Sequence, residues 1–120
     1  MKRNHFRLEK LLDIRIMNER YAASRLSETD ALLTQVKDDI RALKERESIL
    51  YSAFISSVQN QKDLTSVQNH LSALKEESIV LKNLLKKLEE KKADAHIVYV
   101  DALKKRKILE NLKDKTLNKA

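Results

Sequence analysis

Three histidines, His5, His70 and His96, are the residues whose side chains could most readily bind a metal or move a proton. An imidazole on a helix needs a second ligand three or four positions away to present a metal site from one face. All three are read as isolated from such a ligand, and no metal site is expected. There is no cysteine, which removes disulfides and thiolate ligands. Serine, histidine and aspartate are all present, but a nucleophile and its base must be held together in an enclosed site. Nothing in their spacing points to one. A glycine-rich phosphate loop is excluded, because the chain has no glycine. No catalytic, cofactor-binding or metal-binding residue is nominated, and the chain is expected not to be an enzyme.

Charge is the next candidate for function. The net charge is +7. Residues Lys82 to Lys119 carry twelve Lys/Arg against six Asp/Glu, and the remainder is close to neutral. Such a segment suits nucleic acid, an anionic membrane surface or an acidic protein, unless it is simply a solvated flank. The segment Asn18-Glu19-Arg20-Tyr21-Ala22-Ala23-Ser24-Arg25, leading into Leu26 and Leu33, has the residue types of a basic-region zipper. Its alanines and arginine are displaced by one relative to the asparagine, a rotation of about 100°. Ser27, Glu28 and Asp30 follow where more cations belong. Nucleic acid is therefore not the expected partner.

The elements that must position these residues are long helices. Neither glycine nor proline occurs in the 120 residues, where roughly fourteen would be usual. A charged fraction of 36% with 4% aromatics is the composition of helices associating along their length. No run approaches the roughly 18 apolar residues of a membrane span, and the opening Met1-Lys2-Arg3-Asn4-His5-Phe6 lacks the apolar core of a signal peptide. A soluble cytoplasmic protein is expected.

Heptads define the seam. In the first half, position a falls on Leu12, Glu19, Leu26, Leu33, Ile40, Glu47 and Phe54, and d on Leu8, Arg15, Ala22, Thr29, Val36, Leu43, Leu50 and Ser57. In the second, a falls on Leu64, Leu71, Ser78, Leu85, Lys92, Tyr99, Arg106 and Lys113, and d on Val67, Leu74, Leu81, Leu88, Ala95, Ala102, Leu109 and Thr116. The run Lys104-Lys105-Arg106-Lys107 then occupies f, g, a and b, wrapping its helix instead of forming one stripe.

The frames break between Ser56 and Asp63, where Val58 is the only apolar residue and Asn60 is the best substitute for a turn glycine. Thr65-Ser66-Val67-Gln68 reads as a capping box, and Asn4 as the cap of the first helix. The expected fold is all-α: a single antiparallel coiled-coil hairpin over residues 1–120. Helix 1 is placed at about 5–57, the turn at about 58–64 and helix 2 at about 65–118. The rival is one uninterrupted helix in a parallel dimer, since the d row of the first half runs into the a row of the second. In a hairpin of this register Glu19 faces Arg106, and replacing Arg106 by leucine is expected to stabilise the seam while loosening its register.

Some apolar residues lie off the seam. Ile14, Met17 and Tyr21 occupy c, f and c, while Ile97 and Val100 occupy f and b at a similar height in a hairpin. Their clustering predicts a partner surface near the end that carries both termini.

The residues at both ends carry a resemblance. Phe6-Arg7-Leu8-Glu9-Lys10-Leu11-Leu12-Asp13-Ile14-Arg15, with Glu19 and Ala22-Ala23 following, resembles the opening of the flagellar FliJ family. Asp101-Ala102-Leu103-Lys104-Lys105-Arg106-Lys107-Ile108-Leu109-Glu110-Asn111-Leu112-Lys113-Asp114-Lys115 resembles its closing helix. Leu64-Thr65-Ser66-Val67-Gln68-Asn69-His70-Leu71-Ser72-Ala73-Leu74 is similar to its post-turn segment. Family members usually continue further at the C-terminus.

The resemblance implies a small, non-catalytic stalk of the flagellar type III export apparatus, without a cofactor. It implies docking into the hexameric export ATPase, promotion of that ring's assembly, contact with the membrane-embedded export gate, and escort of export chaperones. It implies a cytoplasmic protein, peripheral at the cytoplasmic face of the inner membrane through its partners. Carried over by position, Phe6, Leu8, Leu11, Ile14, Arg15, Lys105, Arg106, Ile108 and Leu112 are candidates for the ATPase ring, joined by the surface residues Met17, Tyr21, Ile97 and Val100. His70 and Leu74 are candidates for the gate. The stalks of virulence secretion systems share this architecture and stay open as an alternative, as does a basic coiled coil bound to nucleic acid or an anionic membrane.

Overall fold

A computed structural model describes residues 2–57 and 61–118, with side chains over 5–56 and 61–117. Helix α1 spans Lys2–Ser57 and helix α2 spans Gln61–Asn118. Without proline every residue keeps its backbone donor, and Leu, Ala, Lys, Glu, Arg and Gln are strong helix formers. No described residue has a positive φ.

Helix α1 ends at Ser57 as expected, and both helices begin earlier than expected, α2 inside the expected turn. Helix α1 begins at Lys2, so Asn4 lies within its first turn instead of capping it. Helix α2 begins at Gln61 and not at Thr65, because Lys62 and Leu64 accept helical geometry and Asp63 suits the positive end of the helix dipole. Thr65 is therefore no cap. Its hydroxyl donates back to the Gln61 carbonyl at 2.9 Å, within the helix. Ser56 likewise donates to the Ser52 carbonyl at 3.0 Å. Asn60 and Val58, which carried the turn reading, lie outside the described residues.

The chain forms two compact units, Met1–Asp30 with Glu90–Ala120, and Ala31–Glu89. In the first unit the helices run antiparallel. Glu9 pairs with Lys113 at 3.5 Å, Asp30 with Lys92 at 2.7 Å, and Glu19 with Arg106. The paired residue numbers add to between 122 and 125. In the second unit Leu33 and Val36 pack on Leu88, with Ile40 and Leu85 against them. These contacts make the chain an all-α helical hairpin, folded back on itself, and not one uninterrupted helix.

The seam follows the heptads. Every a and d residue from Leu8 to Phe54, and every one from Leu64 to Thr116, is buried or half-buried. The most deeply covered side chains are Leu12, Ala22, Thr29, Leu33, Val36, Leu43, Leu74 and Leu88, all of them a or d. None is completely sealed from solvent, because two helices share a single seam with water on both sides. Several polar seam residues are paired. Glu19, Lys92, Arg106 and Lys113 engage the facing helix, and the Thr29 hydroxyl donates to the Arg25 carbonyl at 2.9 Å. Among the described residues no buried side-chain nitrogen or oxygen lacks a partner, as the cost of an unpaired buried polar group requires.

Candidate functional site

The two flanks of the first unit differ, and the cause lies in the seam. Going round a helix, d adjoins g and a adjoins e. Through the middle of the unit, between Arg15 and Leu109, the d row is short: Ala22, Thr29, Ala95 and Ala102. The a row is long: Glu19, Leu26, Lys92, Tyr99 and Arg106. The a side is filled, and the e residues Ile16, Ala23 and Leu103 are half-buried against it. The d side is under-filled. Small side chains leave space that neither helix can occupy.

That space forms two adjoining open hollows. One, of about 250 Å³, lies between Tyr21, Ala22, Arg25 and Thr29 of α1 and Lys91, Asp94, Ala95 and Val98 of α2. The other, of about 260 Å³, shares Tyr21, Ala22 and Val98 and continues past Arg15 and Asn18 to Asp101, Ala102 and Lys105. Along this g and c flank Leu11, Ile14 and Tyr21 from α1, and Val98, Ile108 and Leu112 from α2, are exposed. Met17 and Ile97 are exposed at the adjoining f positions, Met17 by 68%. Polar contacts frame the groove. The Arg25 guanidinium lies 5.8 Å from the Tyr21 ring centroid, a favourable cation–π distance. Lys105 Nζ lies 3.0 Å from Asp101 Oδ2.

Charge concentrates in the same unit. Its residues carry sixteen Lys/Arg against ten Asp/Glu, whereas the second unit carries nine against eight. The run Lys104 to Lys107 is divided by its geometry. Lys104, Lys105 and Lys107 are exposed, while Arg106 turns into the seam, where it pairs with Glu19 and with Glu110 one turn on. The hydrogen bond to Glu19 raises the Arg106 pKa above the ordinary guanidinium value; burial opposes this, and the charges of Glu19 and Glu110 add to it.

The nominated residues separate on this background. Phe6, Leu11, Ile14, Met17, Tyr21, Ile97, Ile108 and Leu112 present apolar surface, and Lys105 is exposed beside them. Leu8, Arg15 and Arg106 are half-buried seam residues. Val100 is half-buried as well, a correction to its place on the outer surface. In the second unit His70 is exposed, whereas Leu74, at a d position, is buried in the seam at 7% exposure. His5 needs a correction of its own. It is not isolated, because Glu9 stands one turn on, with Nε2 to Oε1 at 3.2 Å. Among the described residues no group of three or more potential metal ligands converges, and no helix is long and apolar enough to cross a membrane.

Val98 was not singled out by the sequence. It lines both hollows and is 59% exposed. Its signal was available in the g position beside the short d row.

No protein-family model, curated protein or solved structure matches the chain.

Proposed function

We propose that this chain is a non-catalytic stalk of a flagellar type III protein export apparatus, which binds the hexameric export ATPase through the first unit and promotes its assembly. The carrying observation is that the unit holding nearly all the excess positive charge also exposes ten large apolar side chains, against seven in the second unit, among the described residues. Exposed apolar clusters mark interaction surfaces, and this one occupies the segments that resemble the FliJ family. Contact with the export gate, escort of export chaperones and a peripheral place at the cytoplasmic face of the inner membrane belong to the same reading. A virulence-system stalk is the same proposal with a different ring.

The test is to mix the purified chain with the export ATPase and follow hydrolysis and hexamer formation. Stimulation by the wild-type chain, lost in Met17→Glu with Ile97→Glu while the circular dichroism spectrum is unchanged, is the expected result. Unchanged hydrolysis and assembly with the wild-type chain overturns it. The excess cations of the first unit favour one other reading, adhesion to nucleic acid or an anionic membrane. That reading requires DNA or vesicle binding that falls steeply between about 50 and 200 mM salt.

A further inference from the structure

We infer that the open groove of the first unit is the seat of a third helix, an acidic amphipathic segment of a partner protein. The inference deepens the reading of this unit as a docking end and rests on it. Three observations lead to it.

The groove has the shape of a helix seat. Its floor is the short d row, Ala22, Thr29, Ala95 and Ala102, and its hollows adjoin at Tyr21 and Val98. Small residues let a neighbouring helix approach closely. From Arg15 to Thr29 the α1 wall is fifteen residues long, about 21 Å or four helical turns. A segment of roughly fifteen residues would fill it, with apolar side chains at i, i+3, i+4 and i+7 entering the hollows.

The walls select apolar side chains, and the surroundings select negative charge. Leu11, Ile14, Tyr21, Val98, Ile108 and Leu112 line the flank on which the groove lies, and all are exposed. Arg15, Arg25, Lys91 and Lys105 line the groove against Asp94 and Asp101, four cations to two anions, with Lys105 and Asp101 paired to each other. Sixteen cations against ten anions give the whole unit a positive field, which attracts an acidic segment and steers its approach. The same field opposes a second copy of this chain, because it would bring two like-charged units together.

The opposite flank shows what a completed seam looks like. There the long a row covers Ile16, Ala23 and Leu103. The d flank lacks that cover, and a third helix would supply it.

The test titrates the full-length chain into two fluorescein-labelled peptides of about eighteen residues and follows anisotropy. Both carry leucine at a and d spacing. One has glutamate on its outer face and the other lysine. The glutamate peptide is expected to bind saturably and gain helicity, at least about tenfold more tightly than the lysine peptide. Tyr21→Glu with Val98→Glu should weaken binding by about tenfold or more, with an unchanged far-ultraviolet spectrum and thermal midpoint. Ile49→Glu, in the second unit, should leave it unaltered. Equal binding of the two peptides, or no saturable binding of the glutamate peptide, overturns the inference. So does sedimentation showing a dimer of the wild-type chain that Tyr21→Glu with Val98→Glu converts to monomer, since a second copy is then the occupant. The outcome is independent of the export ATPase. A ring that ignores the chain defeats the stalk reading alone, and peptides that ignore the groove defeat the third helix alone.

Discussion

Leu32 and Leu33 are neighbours in sequence, identical in chemistry and opposite in role. Leu33 is an a residue, 4% exposed and packed on Leu88, whereas Leu32 at g is 52% exposed. Truncating Leu33 to alanine removes three carbon atoms from the seam, about 2.4 kcal/mol at roughly 0.8 kcal/mol per buried methylene. Sealed cores add a cavity term that carries Leu→Ala costs to about 3–5 kcal/mol. That term is small here, because no seam side chain is wholly cut off from water and the vacancy opens to solvent. The expected loss is therefore about 2–3 kcal/mol. A chain of this length has an unfolding entropy near 0.25 kcal/mol/K, so the thermal midpoint should fall by about 8–12 °C. Leu32→Ala should move it by less than about 3 °C, since little burial is lost and alanine is at least as good a helix former. Circular dichroism at 222 nm through a thermal ramp measures both. Equal falls for the two substitutions would refute the heptad account of the second unit.

Two further outcomes concern the polar seam of the first unit. Arg106→Leu leaves the half-buried Glu19 carboxylate without its cross-helix partner, and removing one member of such a pair is destabilising. Each of Glu19→Leu and Arg106→Leu should lower the thermal midpoint and the double variant should recover it, reversing the expectation that leucine at 106 alone is stabilising. A single Arg106→Leu variant at or above the wild-type midpoint would refute this. Because pairing raises the Arg106 pKa, its contribution is fully present below the ordinary guanidinium value and is lost only as pH rises through the raised one. Deprotonation of Arg106 therefore removes none of the coupling between about pH 6 and 9. Thr29→Val should stabilise the chain by up to about 1 kcal/mol, a rise of about 2–4 °C. The lost hydroxyl bonds only a carbonyl that the helix already uses, and a lower midpoint would show that the hydroxyl does more.

Much of this structure was legible in the residue order. The apolar rows from Leu8 to Phe54 and from Leu64 to Thr116 are the seam that forms, because a 3.5-residue repeat leaves one stripe to bury. The register was legible too. Glu19 and Arg106, two charges on apolar rows, meet across it. Helix ends were less legible. Thr65 and Gln68 have the residue types of a capping box, yet the same hydroxyl can bond the preceding turn, and continuation from Gln61 prevails. Of the candidate surface, Ile14, Met17, Tyr21 and Ile97 were visible as apolar residues at outer positions. Val100 is half-buried, and Val98 emerges beside a groove instead.

The sequence by itself determined the helices and the seam, since both follow from local propensity and a one-dimensional repeat. Absent glycine and proline remove the means of breaking a helix, and the heptads choose its buried stripe. Only the tertiary structure decided what the short d row does. Alanine at 22, 95 and 102 and threonine at 29 are ordinary seam residues when read along one helix. Set against each other from two helices, they leave a hollow on one flank while the long a row closes the other. Whether small residues draw helices together or leave a groove depends on which side chains face them across the seam, and that pairing exists only once the chain has folded back.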